Sequence, residues 1–235
     1  MKLPPVPHEW NLAPRAAIEL QRALAEQVRV VPLARQVRHV AGLDAAFSPD
    51  GRYCLAAVVV WDLREKVVVE QRTARQRLVF PYVPGLLSFR EAPALLEALR
   101  RLRRRPDVLM CDGQGLAHPR RFGIACHVGV VTGLPAVGCA KSRLIGRHDP
   151  PAEPRGSQTP LWVEDEVVGA VLRTRDGVRP LYISVGHRMT LTDAVELTLA
   201  CGGGFRLPEP TRLADRLVAR EKQRGRRAEE KSPAG

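Results

Sequence analysis

The sequence predicts an α/β fold whose sheet is mixed, an antiparallel meander joined to parallel strands and flanked by helices. Two patterns predict it. Three strand-like segments come first, joined by connections too short to hold a helix, Ser48-Pro-Asp-Gly51 and Leu63-Arg-Glu65, so they pair antiparallel. From Phe89 onward helical and strand-like segments alternate, the pattern of parallel strands linked by crossover helices.

The elements follow in order. Pro14 to Val30 has helical spacing, with Ile18, Leu20, Leu24 and Val28 apolar and Pro14 suited to a first turn. Val37–Phe47, Tyr53–Asp62 and Lys66–Gln76 are the meander strands, and the first carries Asp44. A proline-marked loop, Pro81-Tyr82-Val83-Pro84-Gly85, leads to a helix over Phe89–Arg104. Val108–Cys111 reads as a buried strand, followed by a helix through Arg121–Val131 and a strand over Ala136–Ala140. Two or three further strands are expected between Leu161 and Val185, with Asp176-Gly177 as a hairpin turn. Leu191–Cys201 and Pro210–Arg220 read as helices. Residues 221–235 are charged and lack apolar periodicity, so a disordered basic tail is expected after a single domain over 1–220.

Lys and Arg number 37 against 25 Asp and Glu, a formal net charge of +12. Only five of the cations are lysines, leaving 32 arginines. Such an excess favours a polyanionic partner, although a GC-rich genome inflates arginine, alanine and proline together. The five cysteines are odd in number and show no C-x-x-C spacing, which argues against a disulfide framework or a zinc site. The longest apolar run, Leu55 to Trp61, is too short to span a bilayer. A cytoplasmic, monomeric protein with no membrane or protein partner is expected.

The chemistry concentrates in Asp112-Gly113-Gln114-Gly115 and the Ala117-His118-Pro119-Arg120-Arg121 that follows. A carboxylate at a strand's end, followed by glycines, stands where backbone can approach a ligand. The histidine and the arginines suit a phosphate's geometry and charge. Gly113 and Gly115 are expected to let backbone lie close to a ligand, and His118, held extended before Pro119, to bind phosphate at a helix start. Asp44 lies in an otherwise apolar strand, where an acid is costly to bury unless it is paired or binds a metal; it could also face solvent at an edge. Glu91 has two readings: in Ser88-Phe-Arg-Glu91 it fits the N3 position of a capping box, or it joins Asp44 and Asp112 at a magnesium site. Lys141, rare in an arginine-rich chain, could orient water or neutralise a phosphate oxygen at the end of its strand. Tyr82, on a loop stiffened by Pro81 and Pro84, is either a wedge between bases or a cover for the core. His127 reads as a packing histidine, and His187 either lies near the site or sits in a turn.

These residues fall in stretches that resemble the endonuclease V family. The matching pieces are GLDAAF around Asp44, FPYVPGLLSFRE over Phe80–Glu91, and PDVLMCDGQGLAHPRRFGIACHVGV over Pro106–Val130. GLPAVGCAKSRL (Gly133–Leu144), SVGHRMTL (Ser184–Leu191) and FRLPEPTRLAD (Phe205–Asp215) complete them in the family's order. The resemblance implies a ribonuclease H-like fold and magnesium-dependent cleavage, with manganese as a substitute. It implies that Asp44, Glu91 and Asp112 hold the metal and that Lys141 is the catalytic lysine. The Pro81–Pro84 stretch, with Gly85, matches the family's base-separating wedge, Val83 standing for isoleucine. The implied substrate is damaged DNA carrying deoxyinosine, cut at the second phosphodiester 3′ to the lesion to leave 3′-hydroxyl and 5′-phosphate ends. Departures are Gly133 where aspartate is common, Val185 where proline is expected, and Asp215 where some relatives carry histidine. The competing readings are an inosine-specific endoribonuclease, another ribonuclease H-like nuclease, and a non-catalytic nucleic-acid-binding protein.

Overall fold

The computed structural model describes residues 1–34 and 36–230, the last four of these by backbone alone. One eight-stranded sheet runs in the order β3-β2-β1-β4-β5-β8-β7-β6. β1 (His39–Phe47), β2 (Tyr53–Asp62) and β3 (Val67–Arg77) form the antiparallel meander. β4 (Val108–Cys111) and β5 (Ala136–Ala140) lie parallel to β1, and β8 (Leu181–His187) closes antiparallel onto β5. This is the mixed sheet expected of a ribonuclease H-like fold. β6 (Gln158–Val163) and β7 (Glu166–Leu172) extend it; their hairpin turns tightly at Glu164, which takes a positive φ of 54°. Asp176-Gly177 does turn, but inside the longer 173–180 connection between β7 and β8 and not as a two-residue hairpin.

Alternation along the strands decides what faces what. Ala41 and Leu43 of β1, with Leu109 and Cys111 of β4, pack beneath α2 (Leu87–Arg100) and α3 (Ile124–Thr132). Val40 of β1, Val108 and Met110 of β4, and Val137 and Cys139 of β5 point to the other face, which α4 (Leu191–Ala200) helps to cover. Because side chains alternate with period two, Asp44, Asp112 and Lys141 continue that second face.

α5 (Glu209–Glu230) crosses β1 and β2 on the same face. Its docking depends on Gly42, where an added Cβ would stand 2.1 Å from the Pro210 backbone. The helix therefore lands one side-chain step before Asp44 on that face. The expected helix over Pro210–Arg220 is longer than the sequence suggested, and residues 221–230 continue it where a disordered tail was expected. Lys, Arg, Glu, Gln and Ala are good helix formers, and an Arg224–Glu221 ion pair at 2.9 Å adds to them. Residues 231–235 lie outside the described residues.

α1 (Pro14–Ala25) stops short of the expected Val30. Its inner stripe is Ala17, Gln21 and Leu24, so a glutamine is buried on its apolar face. α2 begins at Leu87 with Leu86 as N-cap and no side-chain cap, so Ser88-Phe-Arg-Glu91 is not a capping box. The Ser88 hydroxyl instead lies 2.9 Å from Nδ1 of the buried His127, whose Nε2 meets His8 at 2.9 Å. His127 is thus a core histidine, as expected. No helix among the described residues is long and apolar enough to cross a membrane.

Candidate active site

β4 ends at Cys111 while β1 runs on to Phe47, which opens a notch in the sheet beside Asp44. Leu43 pairs with Cys111, so Asp44 and Asp112 are carried to the same level on the same face. Asp215, one helical turn beyond the buried Thr211, reaches them from α5. Carboxylate oxygens of Asp44, Asp112 and Asp215 all lie within 4.8 Å of one another. The Lys141 ammonium bridges two of them, 2.5 Å from Asp112 Oδ2 and 2.8 Å from Asp215 Oδ1. Arg206 fixes the lysine's backbone by donating to the Lys141 carbonyl at 2.6 Å.

The charges do not balance. Burial, with Asp112 next in weight, pushes the Asp44 carboxyl up to about 7. Glu91 is pushed up to about 8 by burial, then by Asp44 and Asp112. Asp112 is also raised, chiefly by burial, even though Lys141 opposes the shift. Burial alone would lower Lys141, but its bonds to Asp112 and Asp215 carry it upward. Four acids around one ammonium suit a hard divalent cation, which takes oxygen ligands and relieves their repulsion. Glu91 stands outside the tight trio, and enters from α2 along the wall of a cleft that Asp112 and Lys141 also line.

These shifts have a consequence for stability. Acids whose proton affinity rises on folding make the folded chain hold more protons than the unfolded one, so stability falls as pH rises. Without divalent metal, the melting temperature should decline from about pH 5 to about pH 9 as Asp44 and Glu91 ionise. Added Mg²⁺ should recover more of it at the alkaline end than at the acidic end. Thermal melts across that range, in chelator and in Mg²⁺, check this; curves indifferent to the cation at every pH would refute it.

The cleft has a volume of about 440 Å³. Tyr82 stands on its lip and is 71% exposed, so it does not serve as a cover for the core. The Arg90 guanidinium lies 5.9 Å from the Tyr82 ring and 4.7 Å from that of Phe47. The loop below Tyr82 is packed through Val83 against Phe80, Leu86 and Phe89, and is held by side chains at the Gly85 carbonyl. That carbonyl accepts from Gln21 Nε2 at 3.0 Å, His118 Nε2 at 3.0 Å and Arg120 Nη2 at 2.7 Å. That pairing sets the His118 tautomer, since its Nδ1 accepts from the Arg120 amide at 3.2 Å. Burial, and then Arg120, lowers His118 to about 4, so the ring is neutral.

His118 is accordingly not at a helix start, and both it and Arg120 hold the loop in this structure. Gly113 lines the cleft, with a φ of +153° that excludes a side chain. Gly115 is buried against β8 instead, where an added Cβ would stand 2.1 Å from the Val185 carbonyl. His187 pairs with Ala136 at the far end of β5, five residues and about 17 Å from Lys141. Its Nδ1 accepts from the Arg29 amide, so it belongs to the opposite end of the sheet. Gln21, Arg90 and Arg206 were not anticipated. A lone glutamine on the apolar stripe of α1 was a visible signal for the first; the other two had none.

Comparison with known proteins shows the family. Residues 22–216 match the family model described as Endonuclease V. An endonuclease V of Roseiflexus castenholzii is 52% identical over 216 residues, 92% of this chain and 96% of the relative. The crystal structure of endonuclease V from Streptomyces avermitilis superposes with a TM-score of 0.88 at 42% identity, covering 93% of this chain and 97% of that one. A more distant neighbour in fold is Ciona intestinalis endonuclease V, solved with a 24mer DNA containing an inosine followed by a ribo-adenosine. Its TM-score is 0.76 at 24% identity, with 88% of this chain and 96% of that one covered. The chain described here belongs to the endonuclease V family.

Proposed function

We propose that this protein is a magnesium-dependent DNA-repair endonuclease that recognises deoxyinosine. It hydrolyses the second phosphodiester 3′ to the lesion and leaves 3′-hydroxyl and 5′-phosphate ends. The observation that carries the reading is the carboxylate trio with Lys141, of which Asp112 and Lys141 line a cleft with an exposed tyrosine on its lip. The inosine-bearing DNA held by the Ciona relative supports the substrate.

In this reading Asp44, Asp112 and Asp215 hold Mg²⁺, with Mn²⁺ as a substitute, and Glu91 contributes directly or through water. The bound cation supplies Lewis acidity, lowering the cost of charge that develops on the scissile phosphate. Lys141 faces the same atoms and stabilises that charge from the β5 side. The lesion base turns out of the stack into the cleft, beside the backbone at Gly113. Pro81, Val83 and Pro84 hold the wedge stiff, while Gly85, His118 and Arg120 act on substrate through it by fixing the loop. Gly115 sets the course of the backbone that Gly113 presents.

Purified protein with Mg²⁺ and an end-labelled duplex carrying one deoxyinosine tests the reading. A single nick one nucleotide beyond the inosine on its 3′ side is expected, with the undamaged duplex intact. Equal cutting of both would assign a general ribonuclease H-like nuclease. Inertness toward both, with cutting of inosine in RNA, would assign an endoribonuclease. Tyr82→Ala should lower nicking about 10- to 100-fold, because stacking on an aromatic is worth ~1–3 kcal/mol per base. Parental nicking by that variant would remove the wedge from the mechanism.

A further inference from the structure

α5 carries more than Asp215. It rises along β1 from Gly42, passes Leu55 and Ala57 with Val218, and reaches the β1–β2 turn, where Lys222 and Arg224 border a hollow with Ser48 and Pro49. Between Arg216 and Arg226 the sequence has five cations and one acid, Glu221. Arg216, Arg220 and Arg224 recur every fourth residue, all exposed, and so form one stripe along the helix. Like charges at that spacing weaken a helix by a few tenths of a kcal/mol per pair. Only Arg224 is partnered, by Glu221; among the described residues neither Arg216 nor Arg220 has an ion pair. A stripe that costs the helix stability and begins one residue beyond the metal site needs an external anion to explain it.

We propose that Arg216, Arg220 and Arg224 form a second contact that grips the backbone of duplex DNA flanking the cut. The proposal rests on the reading that the substrate is DNA. From Asp215 to Arg224 the helix advances about 13 Å, the axial length of about four nucleotides. Phosphate contacts of this kind position a duplex without reading its sequence. A protein partner would need acids set at helical spacing, whereas a DNA strand presents phosphates all along the stripe, and this favours DNA.

The test is binding of a duplex of about 30 base pairs, in chelator, measured against salt concentration. The variants are R216Q/R220Q/R224Q and R216K/R220K/R224K. Each lost phosphate contact makes the slope of log affinity against log salt shallower by about 0.9, so the glutamine variant should lose about 2.7 units. At about 0.1 M salt its affinity should fall on the order of 10²-fold. The lysine variant, which keeps the charge, should follow the parent. An unchanged slope in the glutamine variant would overturn the proposal, and so would an equal loss in both variants, which marks damage to the fold. The readout needs neither metal nor inosine, so failure of the arm and failure of the inosine reading are separable.

Discussion

Asp112→Asn is expected to reduce nicking of a deoxyinosine duplex by roughly 10³-fold or more. Asp112 is the acid on which the others converge: it lies within the carboxylate trio, pairs with Lys141 at 2.5 Å, and helps to raise both Asp44 and Glu91. Asparagine keeps its shape and removes one charge. The repulsion on Asp44 and Glu91 should then ease, and the alkaline loss of stability in metal-free protein should shrink. Single-turnover nicking, melting temperature in chelator and duplex binding measured together separate these effects. Lost nicking with retained folding and binding identifies Asp112 as a catalytic group. Parental turnover would sink the assignment outright.

Part of this site can be read from the amino-acid order. Val108-Leu-Met-Cys-Asp112 and Val40-Ala-Gly-Leu-Asp44 place their acids at the same parity in two apolar strands. If those strands are parallel neighbours, the acids must meet. Lys141 follows the same rule on β5. Asp215 does not, because its place depends on a long-range approach of α5 onto Gly42, and nothing local to residue 215 announces it. Ser88 and Glu91 misled for a related reason. Their spacing suits a capping box, yet His127, from a helix that follows in the chain, takes the serine hydroxyl. The basic end of the chain lacks apolar periodicity and so reads as a tail, but intrinsic propensity and one ion pair continue a helix already anchored by Val218.

Lys141→Gln separates two roles that the geometry leaves joined in one ammonium. In the structure Lys141 is the internal counter-ion of Asp112 and Asp215, held by both and fixed from behind by Arg206. If that were its whole purpose, a divalent cation would replace it, and saturating Mg²⁺ would return the variant to the parental rate. A group that stabilises charge developing on the phosphate cannot be replaced in this way, and its loss costs about 10²- to 10³-fold in the chemical step. The two roles predict opposite signs for metal binding and turnover. Without the lysine, the carboxylates lose a competing cation, so less Mg²⁺ should be needed for half-maximal thermal stabilisation. Nicking should nevertheless remain about 10²- to 10³-fold slower at any Mg²⁺ concentration. Tighter metal binding together with slower turnover would place Lys141 at the reacting phosphate. Recovery of the rate at high Mg²⁺ would reduce it to a counter-ion.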